Sequence, residues 1–155
     1  MPTRHAFTVK DVCALLEGVS RSRVQGWVQL PPFCAKPVRE RSARRFSRAD
    51  LLTFAVLRTL EDGFGARTAH LAQVSAGIRQ YLSAPHQAGI DDWLFVSLGD
   101  GSARPVKEQS IAEPGWIIDL GRERERIDRY LGVLPSQREL PLVAGVGNGA
   151  HDRAS

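Results

Sequence analysis

The stretch from Gly18 to Phe46 limits what this chain can fold into more than any other. Gly18 ends one helical pattern, and Ser20, whose hydroxyl suits the free N–H groups of a first turn, opens another that runs to about Gln29. Leu30-Pro31-Pro32 stops it, because proline lacks the N–H that the helical ladder needs and restricts the residue before it. The segment from Phe33 to Phe46 then shows no helical period and carries Arg39, Arg41, Arg44 and Arg45. Two short helices joined by a glycine-containing turn, then a two-stranded wing centred on Ser42-Ala43, are the expected local structure.

Helical patterns flank this stretch on both sides. Thr8 is placed to cap a first helix in which Val9, Val12, Cys13, Leu15 and Leu16 share one face and Asp11 lies in the first turn. Ser47 with Asp50 forms a variant capping box for a third helix, with Leu51, Leu52, Phe54, Ala55, Leu57 and Leu60 as a broad apolar face and Gly63 as its expected end. A fourth helix is predicted from about Ala66 to Leu82, where Leu71, Val74, Ile78 and Leu82 recur at helical spacing. Ser83-Ala84-Pro85 reads as a boundary.

Beyond that boundary the pattern changes. Trp93 to Leu98 reads as a buried strand, Asp100-Gly101 as a turn, Arg104 to Gln109 as a second extended piece and Trp116-Ile117-Ile118 as a third strand. Arg122 to Leu131 predicts an amphipathic helix, with Arg124/Asp128 and Glu125/Arg129 at i,i+4 and Leu120, Ile127, Leu131 and Leu134 along one side. The expectation is an α+β chain: a winged helix-turn-helix domain at 1–84, a small strand-plus-helix module at 90–134, and a disordered tail at 135–155 rich in Gly, Pro and small residues. Trp27, Trp93 and Trp116 all fall in apolar patterns and read as core.

Charge is distributed unevenly. Residues 1–48 hold 10 Lys/Arg against 3 Asp/Glu, whereas residues 85–155 hold 8 against 11, so the positive field belongs to the N-terminal third. That asymmetry marks a part that meets polyanions and a part that does not. No apolar run approaches the roughly 20 residues of a spanning helix, and the N-terminus lacks a signal-peptide core, so a cytoplasmic location without membrane partners is expected. The four histidines are scattered, both cysteines precede residue 35, and no phosphate-cradling or nucleophile-elbow motif appears. Neither an enzyme, a metal site nor a cofactor is expected.

The residues Phe7-Thr8-Val9, Gly18-Val19-Ser20-Arg21-Ser22-Arg23-Val24 and Arg44-Arg45-Phe46-Ser47-Arg48-Ala49-Asp50-Leu51, continued by Leu57, Leu60, Gly63 and Ala66-Arg67-Thr68, resemble the DNA-binding domain of MerR-like transcription regulators. The resemblance spans roughly residues 7–82. It implies a winged helix-turn-helix whose second helix enters the major groove while the wing follows the backbone, with recognition positions at Ser20, Arg23 and Gln25 and a wing contact at Arg44 beside the aromatic Phe46. Three features depart from the family. Gln25-Gly26 stands where an arginine and an aromatic are common, Phe46 stands where a tyrosine is common, and Pro85 interrupts the place of the long dimerisation helix, so pairing must use another surface.

The residues themselves point the same way. Arg suits guanine and Gln suits adenine in the major groove, which makes Arg21, Arg23 and Gln25 candidates for the helix contact beside the Ser20 that the resemblance implies. Arg39, Arg41, Arg44 and Arg45, crowded on an extended segment, suit phosphates. The expected function is a sequence-specific regulator of transcription that binds double-stranded DNA as a homodimer. Two alternatives stay open: an architectural or mobile-element DNA binder of the excisionase or phage-packaging kind, and an adaptor or antitoxin whose residues 90–134 bind a protein partner.

Overall fold

Thr8 and Ser47 each begin a helix by the same local device. In the computed structural model, which describes residues 6–35, 44–84, 93–106 and 111–132, each accepts a hydrogen bond from the N–H three residues on, while the acid there accepts from the cap's own N–H. Asp11 Oδ2 takes the Thr8 N–H at 2.8 Å and Asp50 Oδ2 takes the Ser47 N–H at 2.9 Å. The helices so opened are α1 (Val9–Leu15) and α3 (Arg48–Phe64), with α2 (Arg21–Val28) between them behind its own Ser20 cap. Gly18, at φ 80°, makes the turn from α1 to α2.

α3 is the central helix. From Asp50 to Leu57 every residue is buried, so its apolar surface runs almost all round rather than along one stripe, and α4 (Thr68–Ser83) and α5 (Leu120–Tyr130) both pack on it. The expected stop at Gly63 does not occur. The helix continues through it to Phe64, and Gly65 takes the left-handed conformation at φ 67° with its N–H on the Glu61 carbonyl at 3.1 Å. Gly65 is the residue whose backbone reverses hand, so it closes the last turn. α4 starts at Thr68, two residues later than its periodicity predicts.

Three antiparallel strands, β1 (Trp93–Ser97), β2 (Ala103–Pro105) and β3 (Gly115–Asp119), form a sheet in the order β2-β1-β3. Leu94 faces Pro105 on one side and Ile118 on the other. The β1–β2 turn contains Asp100-Gly101 as expected, with Gly101 at φ 71°. That turn presses on α4 at Gly77, where an added Cβ would collide with the Gly101 carbonyl oxygen. Gln73 Nε2 ties the same place by donating to the Leu98 carbonyl at 2.8 Å.

Leu94, Val96, Ile118, Leu120 and Ile127 belong to the same buried cluster as Val12, Val24, Phe54 and Leu71. The segments on either side of residues 85–92 therefore share one core. Polar contacts follow the same seam: Arg48 of α3 reaches Asp128 of α5 at 2.7 Å, the Tyr130 hydroxyl donates to Asp11 at 3.4 Å, and Thr59 donates to the buried Glu123 at 3.3 Å. Trp93 departs from expectation. It is 51% exposed, because it starts β1 on the face turned away from the helices, the face that also carries Ile117 of β3 at 44%. Trp116 is half-buried with its ring edge-on to His70, 5.9 Å between centroids. Phe95 lies on the outer face too but is shielded by the Arg104 guanidinium, 4.9 Å above its ring. The predicted side of α5 is buried at Leu120 and Ile127; Leu134 and the tail from 135 lie outside the described residues. Among the described residues no helix is long and apolar enough to cross a membrane.

Candidate nucleic-acid interface

α2 turns Val24, Trp27 and Val28 into the core and leaves Arg21, Ser22, Gln25 and Gly26 exposed, as three buried positions within five residues dictate on a 3.6-residue repeat. Ser20 caps the helix by accepting from the Arg23 N–H at 3.1 Å. This leaves the Arg21 and Gln25 side chains one turn apart on the same solvent-facing side. Trp27 is 2% exposed, so it is a core residue, stacked on Phe54 with 5.8 Å between ring centroids.

Phe54 organises the whole region. Besides Trp27, the Phe33 ring stacks on it at 4.8 Å and the Phe46 ring meets it edge-on at 5.1 Å. Phe33 opens a single 3-10 turn, Phe33–Ala35, where the sequence shows no helical period; three residues are too few to leave one. Phe46 exchanges both backbone hydrogen bonds with Phe7, at 2.9 and 2.7 Å. Its side chain is buried, so the aromatic that the family resemblance places beside the wing contact is a core anchor here. Three rings on one phenylalanine thus hold the end of α2, the 3-10 turn and the segment Arg44–Phe46 against a single turn of α3.

Of the cations on that segment, Arg45 is exposed and Arg44 is half-buried, with Nη1 donating to the Phe33 carbonyl at 3.4 Å. Arg39 and Arg41, and the wing turn at Ser42-Ala43, lie outside the described residues. Among the described residues no acid pairs with Arg21, Arg44 or Arg45.

Arg23 is placed differently from its neighbours. Its guanidinium turns to the C-terminal end of α3, donating from Nε to Glu61 at 3.0 Å and from Nη2 and Nη1 to Asp62 at 2.7 and 3.3 Å. Glu61 also accepts from the Trp27 indole N–H at 2.7 Å, and the Arg23 guanidinium lies 5.2 Å from the Trp27 ring centroid. Hydrogen bonding to Arg23 holds the Asp62 carboxyl below its usual range, and the same bond, with help from Glu61, raises Arg23 above its own. Within the protein, Arg23 therefore fixes the angle of α2 on α3. Glu61 and Asp62 carry no mark of this in the sequence, where they look like an ordinary solvated pair near a helix end.

Gly26, half of the Gln25-Gly26 departure from the family pattern, sits in an open place. It lies within α2 at an ordinary helical φ, on the exposed side, and a Cβ built on it meets no atom within 4 Å. Glycine costs a helix interior about 1 kcal/mol relative to alanine. No family model, curated protein or solved structure matches this chain.

Proposed function

We propose that the chain is a sequence-specific DNA-binding regulator of transcription, with α1 and α2 acting as a helix-turn-helix, the segment ending at Phe46 as its wing, and a homodimer as the binding species. The carrying observation is the Phe54 cluster. It holds two cationic elements to one turn of α3 while Arg21, Gln25 and Arg45 remain exposed. A duplex presents base edges in the groove and phosphates at its rim, so two rigidly linked prongs of this kind suit it. In this reading Arg21 and Gln25 approach base edges from the solvent side of α2, while Arg44 and Arg45, continued by Arg39 and Arg41, neutralise phosphates.

Selection of bound duplexes from a random pool tests the proposal. A palindromic consensus is the expected product, since a symmetric pair reads two half-sites. Recovery of unenriched sequence, or no retention of duplex at low salt, overturns it. One observation favours a protein partner as a second use: Trp93 and Ile117 expose large apolar side chains on the outer face of the sheet.

A further inference from the structure

Most glycines of the described chain answer to the chain itself. Gly18, Gly65 and Gly101 adopt positive φ, and Gly77 sits under the Gly101 carbonyl. Gly26 answers to neither need. Its backbone is helical, and the space where a side chain would stand is open. Apart from proline, glycine is the residue that a helix interior tolerates least, so the fold alone would gain from alanine at this position. Gly63 in α3 is open in the same way, but of the two Gly26 is the one that lies on α2, on the face that carries Arg21 and Gln25.

The location says what kind of contact needs it. Gly26 shares the solvent side of α2 with Arg21, Ser22 and Gln25, and Gln29 follows at the C-cap. Arg23 is turned off that surface by Glu61 and Asp62, leaving α2 thin between Gln25 and Gln29. Resting on the DNA reading above, we propose that Gly26 is the close-approach residue of the interface, the point where the duplex comes against the main chain of α2. Glycine serves such sites because backbone meets ligand with no Cβ between them. A methyl group there holds the helix off the groove and withdraws Gln25 from the base edges.

The test uses the full chain and a labelled random-sequence duplex pool at low salt, with thermal unfolding measured in parallel. Gly26→Ala is expected to raise Tm by about 2–4 °C and yet weaken duplex retention about tenfold, as overpacking a tight contact does. Gly63→Ala, an exposed helical glycine outside the proposed interface, should leave retention unchanged. A stabilised Gly26→Ala variant that binds as the wild type does overturns the close-approach role while leaving the DNA reading in place. A destabilised one also overturns it, because the fold then needs the glycine. Failure of the wild-type chain to retain any duplex removes the DNA reading and this inference with it.

Discussion

Replacing Arg23 by methionine separates its two conceivable uses, as a strut between helices and as a contact to DNA. Methionine keeps an unbranched stem over Trp27 and removes the guanidinium. The variant loses the Nε bond to Glu61 and the pair of bonds to Asp62. Shielded charge-assisted bonds contribute about 1.5–3 kcal/mol each. Asp62, however, is 54% exposed, and pairs in that setting fall to about 1 kcal/mol or less. Glu61 is only 26% exposed and keeps its bond from Trp27, so it is not stranded without a partner. The expected loss at neutral pH is about 2 kcal/mol, a fall in Tm of about 4–8 °C for a chain of this size. Urea unfolding of wild type, Arg23→Met, Asp62→Asn and the double variant measures the loss and the coupling, which should come to about 1 kcal/mol. The pH dependence has a definite sign. Asp62 has a folded value below its ordinary 3.8, so its share of stability is present above that value and disappears as pH falls through the lowered one. The gap between wild type and Arg23→Met should therefore narrow in acid. Salt titration of duplex binding supplies the other half: a strut leaves the slope of log K against log salt unchanged, whereas a phosphate contact lowers it by about 0.9. Unaltered stability together with a reduced slope refutes the assignment of Arg23 to α3.

The remaining predictions address other parts of the molecule. Gly77→Ala pushes a methyl group against the Gly101 carbonyl and should cost about 1–3 kcal/mol by chemical denaturation, despite the better helix former it introduces; a neutral result contradicts the docking of the β1–β2 turn on α4. Arg44→Gln and Arg45→Gln should weaken binding to all duplexes alike, each lowering the salt slope by about 0.9, with no change in the selected consensus. Ser47→Ala removes an α3 cap and should lower stability by about 1 kcal/mol in the same urea experiment.

What the sequence by itself determined is whatever a few adjacent residues decide. The helix starts at Thr8, Ser20 and Ser47, the turn at Asp100-Gly101, strands β1 and β3 and the apolar side of α5 all rest on groups one to four positions apart, and each has a signature in residue type and spacing, whereas β2 is Ala103–Pro105 where an extended piece was expected from Arg104 to Gln109, of which 107–109 lie outside the described residues. Even there, the choice between Gly63 and Gly65 as the end of α3 escaped, since both suit a terminus and only the realised backbone shows which one turns left-handed. The arginines at 21 and 45 were legible as exposed cations, whereas Arg44 is half-buried against the Phe33 carbonyl. Tertiary structure decided the rest. Arg23 meets Glu61 and Asp62 across 38 and 39 residues, Phe54 gathers rings from three segments, and Trp93 faces solvent although it begins an apolar run. Spacing along a chain fixes which side of its own helix or strand a residue occupies, but how two elements cross fixes what stands opposite. That crossing comes from packing a shared core, a sum over distant contacts that no local window contains.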